Sequence, residues 1–243
     1  MKKLILLIPF LSFNLFGQAP KASFEIKHLT GDLYVFTTYN IYKGEPVPSN
    51  GMYLITDQGA VMIDSPWDTT QFQPLLDSIK IKHRRNVVMC IATHSHEDRT
   101  SGLEFLKQRG VKTFTTRQTD SISRRTNKKR AQYLISKDTS FSVGQYSFKT
   151  FYPGPGHTPD NIVIWFNKNK VLYGGCLVKS TAAKDLGNIA DANLKEYPTT
   201  IKNIQKKFPK INYVVPGHQG WENTKSLEHT LQLLEMNETK SSK

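Results

Sequence analysis

Asn86-Val87-Val88-Met89-Cys90-Ile91-Ala92-Thr93-His94-Ser95-His96-Glu97-Asp98-Arg99 runs from an unbroken apolar stretch into a crowd of charged and metal-type side chains. The apolar half reads as a strand buried on both faces, with Cys90 inside it. His94 and His96 alternate, so both imidazoles fall on one side of an extended segment and can reach the same ion. Asp98 is next in that alternation, and Glu97 points the other way as long as the segment stays extended. Polar groups gathered at the end of a buried strand need partners, and a metal ion supplies them.

Upstream, Leu33-Tyr34-Val35-Phe36, Met52-Tyr53-Leu54-Ile55 and Ala60-Val61-Met62-Ile63 are strand-like, with a turn at Asp57-Gln58-Gly59. Phe72, Leu75, Leu76 and Ile79 keep helical spacing, and Asp68 with Gln71 resembles a capping box. A short helix near Leu103 to Arg109 stops at Gly110. Downstream, Ile162 to Phe166 and Val171 to Tyr173 form a second hairpin. A helix marked by Tyr197, Ile201, Ile204 and Phe208 follows, then the strand Tyr213-Val214-Val215, then a helix through Leu227, Leu231 and Leu234. Each half thus offers a hairpin, a helix and a strand that ends in metal-type residues, a weak internal duplication. The pattern predicts an α+β fold: two facing sheets with helices on the outer faces, and a cleft where the strand ends meet.

Of the seven histidines, His28, His83 and His229 read as packed or hydrogen-bonded residues. His94, His96, His157 and His218 start loops after strand-like runs, and the last two lie between glycines and prolines that leave room for a ligand. Imidazole and thiolate suit zinc, and three histidines leave the fourth coordination position open, as catalytic sites do. Asp98, Cys176 and His218 form a second trio, so two ions per chain are expected to act together on one substrate.

The 243 residues suggest one domain, and the net charge of +13 fits anionic small molecules as well as nucleic acid. The run Arg124, Arg125, Lys128, Lys129, Arg130 has no interleaved aromatics and reads as a solvated helix face, so no nucleic-acid partner is expected. Lys2, Lys3 and the apolar Leu4 to Phe13 read as a signal peptide over residues 1–17, followed by a single domain over 18–243. That implies an exported, periplasmic protein without a membrane anchor. Two cysteines in an oxidising compartment invite a disulfide, but Cys90 reads as buried in a strand and Cys176 as facing a cleft, so free thiols are expected.

His94-Ser95-His96-Glu97-Asp98-Arg99 resembles the HxHxDR motif of subclass B1 metallo-β-lactamases. So do Asp64-Ser65-Pro66-Trp67, Gly156-His157-Thr158-Pro159-Asp160-Asn161, Gly174-Gly175-Cys176-Leu177-Val178-Lys179, Leu186-Gly187-Asn188 and Pro216-Gly217-His218, with the flavobacterial carbapenemases the nearest likeness. The resemblance implies an αβ/βα sandwich of two mixed sheets. It implies one Zn²⁺ on His94, His96 and His157, and a second on Asp98, Cys176 and His218. It further implies hydrolysis of penicillins, cephalosporins and carbapenems by a metal-bound hydroxide with no covalent intermediate, and hence antibiotic resistance, the enzyme acting as a monomer. Asp98 would orient the nucleophile, Asn188 would stabilise the carbonyl oxygen, and Lys179 would bind the substrate carboxylate. Val47 and Trp67 would line the apolar side under a flexible hairpin at Tyr42 to Pro48, although Trp67 fits core packing equally well. Asp64 and Arg99 would support the ligands from behind. Glu97 departs from the commoner Asp, with little effect expected. Arg99 and Cys176 separate the chain from superfamily hydrolases of thioesters or lactones, the alternative reading, and no Ser-x-x-Lys supports a serine enzyme.

Overall fold

The computed structural model describes residues 24–42 and 44–241; the expected signal peptide lies outside them. The first sheet has seven strands in sequence order: β1 (Phe24–Thr30), β2 (Leu33–Tyr42), β3 (Glu45–Thr56), β4 (Gly59–Ile63), β5 (Val87–Ile91), β6 (Lys112–Thr116) and β7 (Tyr133–Ile135). β1 to β4 pair antiparallel and β4 to β7 parallel. The parallel crossovers are α1 (Phe72–His83), then α2 (Glu97–Thr100) with α3 (Leu103–Gln108), then α4 (Arg117–Arg125). In the second sheet β8 (Ser140–Val143), β9 (Tyr146–Phe151), β10 (Val163–Phe166) and β11 (Val171–Gly175) run antiparallel. Helix α5 (Tyr197–Lys207) carries the chain to β12 (Tyr213–Pro216), parallel to β11, and α6 (Ser226–Ser241) follows.

Side chains of a strand alternate between faces, and here both faces of each sheet are apolar. Val61, Ile63, Leu54 and Ile91 meet Ile164, Phe166, Tyr173 and Val215 between the sheets. Their alternates Ala60, Met62 and Tyr53 pack under Leu75 and Ile79 of α1 and Leu103 and Leu106 of α3. On the other side Val163, Trp165 and Val214 pack under Ile201 and Ile204 of α5 and Leu227 and Leu234 of α6. Helices therefore cover both outer faces, and the α+β sandwich expected from the sequence is the fold. No helix among the described residues is long and apolar enough to cross a membrane.

Three local expectations need correction. The chain does not stay extended past His96: residues 97–100 form a helical turn with His96 at its cap, so Asp98 reaches the site from a helix. Asp68 accepts from the Thr70 amide at 2.8 Å rather than forming a box with Gln71. The Gln71 side chain instead clamps the Tyr39 backbone, donating to its carbonyl at 2.7 Å and accepting from its amide at 3.1 Å. The basic run is not one helix face, because α4 ends at Arg125 and Arg130 folds back onto Asp120 at 2.7 and 2.9 Å.

Candidate metal centre

The site stands where parallel strands end, the edge at which α/β crossovers leave room for a cleft. β5 leads to Thr93, His94, His96 and Asp98; β11 leads to Cys176; β12 leads to His218; β4 ends beside Asp64. His157 comes from the loop between β9 and β10. The imidazoles of His94, His96 and His157 form a near-equilateral triangle, with ring centroids 4.9, 5.1 and 5.0 Å apart. His157 Nε2 lies 3.2 Å from His96 Nδ1, and His94 Nε2 is buried with no hydrogen-bond partner. Burial holds His94 and His157 well below the usual histidine pKa, so both rings are neutral and ready to ligate. The donor atoms of His94, His96 and Asp98 lie within 4.8 Å of one another, as do those of Asp98, Cys176 and His218.

Four of the donors, His218, His96, Asp98 and Cys176, are aimed by a group behind them. His218 Nδ1 donates to the Pro48 carbonyl at 2.6 Å, which turns Nε2 toward Asp98 Oδ2 at 3.1 Å and Cys176 Sγ at 3.3 Å. Burial opposes the His218 cation, but Cys176 and Asp98 push its pKa up to about 9. His96 Nε2 meets Asp191 Oδ2 at 2.9 Å, which leaves Nδ1 for the cluster. Gly217 has no substitute at this place, because an added Cβ would sit 2.8 Å from Cys176 Sγ and 2.6 Å from its amide nitrogen.

Beneath the cluster lies Arg99, fully buried. One terminal nitrogen reaches Asp98 Oδ2 at 3.0 Å, Cys176 Sγ at 2.9 Å and the Gly217 carbonyl at 2.9 Å. The other donates to the Asn50 carbonyl at 2.6 Å and faces Asp64 Oδ2 at 3.5 Å. Burial raises the Asp64 pKa to about 6, against the pull of Arg99 and of hydrogen bonds from Tyr173 and Thr93. Although burial works against the Asp98 carboxylate, Arg99 and His218 hold its pKa well below the usual range. Cys90 and Cys176 are both buried free thiols, as expected.

A cavity of about 440 Å³ opens over the cluster. Val47, Trp67, Lys179 and Asn188 all line it, and half-buried Trp67 packs on Tyr42 with centroids 5.9 Å apart. Glu97 also borders the cavity, contrary to the expectation that it faces away. Sequence reasoning missed Asp191, Asn50 and the Pro48 carbonyl. Asp191 is a lone acid in a loop, and a backbone carbonyl carries no residue-type signal. Asn50 had one weak cue, a polar residue at the head of the apolar run Gly51 to Ile55.

The family model described as the Metallo-beta-lactamase superfamily matches residues 44–218. The chain belongs to that superfamily. It is 46% identical over 232 residues to the metallo-beta-lactamase type 2 of Elizabethkingia meningoseptica, covering 95% of this chain and 92% of that one. It is 39% identical to metallo-beta-lactamase IND-1 of Chryseobacterium indologenes, covering 89% and 93%. Among solved structures, metallo-beta-lactamase IND-7 superposes with a TM-score of 0.85 at 39% identity over 87% of this chain and 98% of that one. The metallo-beta-lactamase from Pontibacter korlensis superposes with 0.84 at 37% identity over 88% and 99%. A metal cofactor goes with this superfamily, and the partnerless, buried His94 Nε2 beside the neutral His157 ring fits one.

Removing the guanidinium would take away the fully buried cation that faces Asp64 and Asp98 and leave a cavity among their remaining partners. Arg99→Ala should therefore lower the stability of the metal-loaded protein by about 3–5 kcal/mol in guanidinium chloride denaturation. An unchanged midpoint would mean that the carboxylates find other partners.

Proposed function

We propose that this chain is an exported subclass B1 zinc β-lactamase, a resistance enzyme that hydrolyses the amide bond of penicillins, cephalosporins and carbapenems in the periplasm. The single observation that carries the reading is the convergence of His94, His96 and His157 with Asp98, Cys176 and His218 in one cluster, all but His94 lining the same cavity. The likeness to metallo-beta-lactamases over most of the chain supports it. Four imidazoles, a thiol and a carboxylate suit zinc. His94, His96 and His157 would hold one ion, and Asp98, Cys176 and His218 a second. Zinc so held supplies Lewis-acid polarisation and activation of water at neutral pH. All six donors come from one chain, so a single copy suffices.

The protein's own groups then bind and orient. Lys179, half-buried beside the cluster, offers its ammonium to the carboxylate that these antibiotics share. Asn188 accepts the Ala190 amide on Oδ1 at 3.1 Å, which leaves its NH₂ to donate to the lactam carbonyl oxygen. The pairings of Asp98 with Arg99, His218 and Cys176 all fall on Oδ2, so Oδ1 remains to accept a hydrogen bond from the attacking water and orient it. Val47 and Trp67 give the ring system an apolar wall. Asp64 and Arg99 hold the donors from behind and touch no substrate.

Purified protein with zinc should hydrolyse nitrocefin and imipenem, lose that activity to a chelator and regain it on zinc addition. Hydrolysis of a thioester in place of nitrocefin would favour a different hydrolase of the superfamily, and activity indifferent to the chelator would defeat the zinc reading. A charge-assisted hydrogen bond contributes on the order of 1.5–3 kcal/mol. Lys179→Ala should accordingly raise KM for carboxylate-bearing substrates roughly ten- to a hundredfold. An unchanged KM would remove Lys179 from the site.

A further inference from the structure

The basic run beyond α4 does not behave as a uniform solvated patch. Arg124, Arg125, Lys129 and Arg130 are exposed, whereas Lys128 between them is half-buried. The backbone explains the difference. Asn127 takes the left-handed conformation at φ 53, which asparagine tolerates well. The Lys128 amide then donates back to the Ser123 carbonyl at 2.8 Å, closing the helix end. The chain turns there, and Lys128 lines the cavity over the metal cluster together with Glu97, Asn188, Asp191 and Lys179. Arg130 spends its charge on Asp120. The Lys128 ammonium makes no ion pair or hydrogen bond with any described residue.

Lys179 and Lys128 reach the cavity from opposite halves of the fold. Lys179 follows β11 of the second sheet, and Lys128 stands between α4 and β7 of the first. A carboxylate on the β-lactam nucleus needs one cation, which Lys179 supplies in the proposed function. Two further cations line the cavity, exposed Lys184 and half-buried Lys128, and neither has a task in binding a monoanion; Lys128, the less exposed, is the better placed to hold a group in the cavity. We infer that Lys128 is a specificity-determining residue that receives a second anionic group, a carboxylate or sulfonate on the acyl side chain, and so favours dianionic β-lactams. The inference rests on the proposed β-lactamase activity.

Benzylpenicillin and its α-carboxy derivative carbenicillin differ by that one carboxylate, so their ratio of kcat/KM isolates it. In the zinc-loaded enzyme Lys128→Ala should lower the carbenicillin-to-benzylpenicillin ratio about three- to fivefold, the worth of a partly exposed ion pair. The change should lie in KM rather than kcat. Lys128→Glu should lower the ratio further, and Lys128→Arg should keep it. Added salt should erode the ratio in the wild type and leave it flat in Lys128→Ala, since exposed charges are screened within about 8 Å at physiological ionic strength. An unchanged ratio in both Lys128→Ala and Lys128→Glu would overturn the inference. So would an equal loss with both penicillins, which would assign Lys128 to Asp191 or Glu97 instead. Failure of the wild type to hydrolyse either penicillin would strike the β-lactamase reading itself, before Lys128 is tested.

Discussion

A guanidinium shut off from water must be matched by charge and hydrogen bonds, or the fold that encloses it does not form. Arg99 is in that position, and its partners come from β3 (Asn50), the end of β4 (Asp64), α2 (Asp98), the end of β11 (Cys176) and the end of β12 (Gly217). Satisfying one cation therefore draws together segments from both sheets. Three of those partners either belong to the donor cluster or adjoin it. The positions of Asp98, Cys176 and Gly217, the neighbour of His218, are in this way tied to the burial of Arg99. The same cation offsets the negative charge that a thiolate and a carboxylate would bring to the floor of the cavity.

The sheets supply what a single ionic contact cannot, a fixed distance between the two halves. β4 with β5, and β11 with β12, are the parallel pairs nearest the site, and each is joined by one outer helix, α1 or α5. Parallel strands deliver their ends to one edge, so both halves present donors on the same side. Close approach is then limited by side-chain bulk, which is why Gly217 stands against Cys176 with no room for a Cβ.

Much of this was legible in the sequence because both halves write it in strong local code. The apolar run Val87 to Ile91 belongs in the interior, where Val87, Cys90 and Ile91 are buried and Val88 and Met89 half-buried, and the alternation of His94 with His96 follows from a period of two. The Gly and Pro frames around His157 and His218 exclude helix there. What was not legible obeys other rules. Periodicity does not say where a strand ends, so the helical turn that carries Asp98 was read as extended. No glycine or proline marks the end of α4, so Lys128 was assigned to the same face as Arg124. Strands β6 and β8 were not singled out, because Thr113, Thr115, Ser140 and Ser142 dilute their apolar pattern. Asp191 gains meaning only from His96, 95 residues away in the chain.

Two kinds of charge work in this molecule, and their surroundings separate them. Arg99, Asp64 and Asp98 sit in a protein interior where water does not screen them, so they set distances and are indifferent to ionic strength. Lys128, Lys179 and Lys184 border the open cavity, facing Glu97, Asp185 and Asp191 at the same mouth. With a net charge of +13 the chain attracts anions from all directions, which raises encounter rates without selecting among them. Selection has to come from where the unmatched cations stand relative to the metal cluster. A cation already paired across the mouth adds only to the general field. One left without a partner keeps its full attraction for a charge on the substrate, and its position on the wall decides which charge that is.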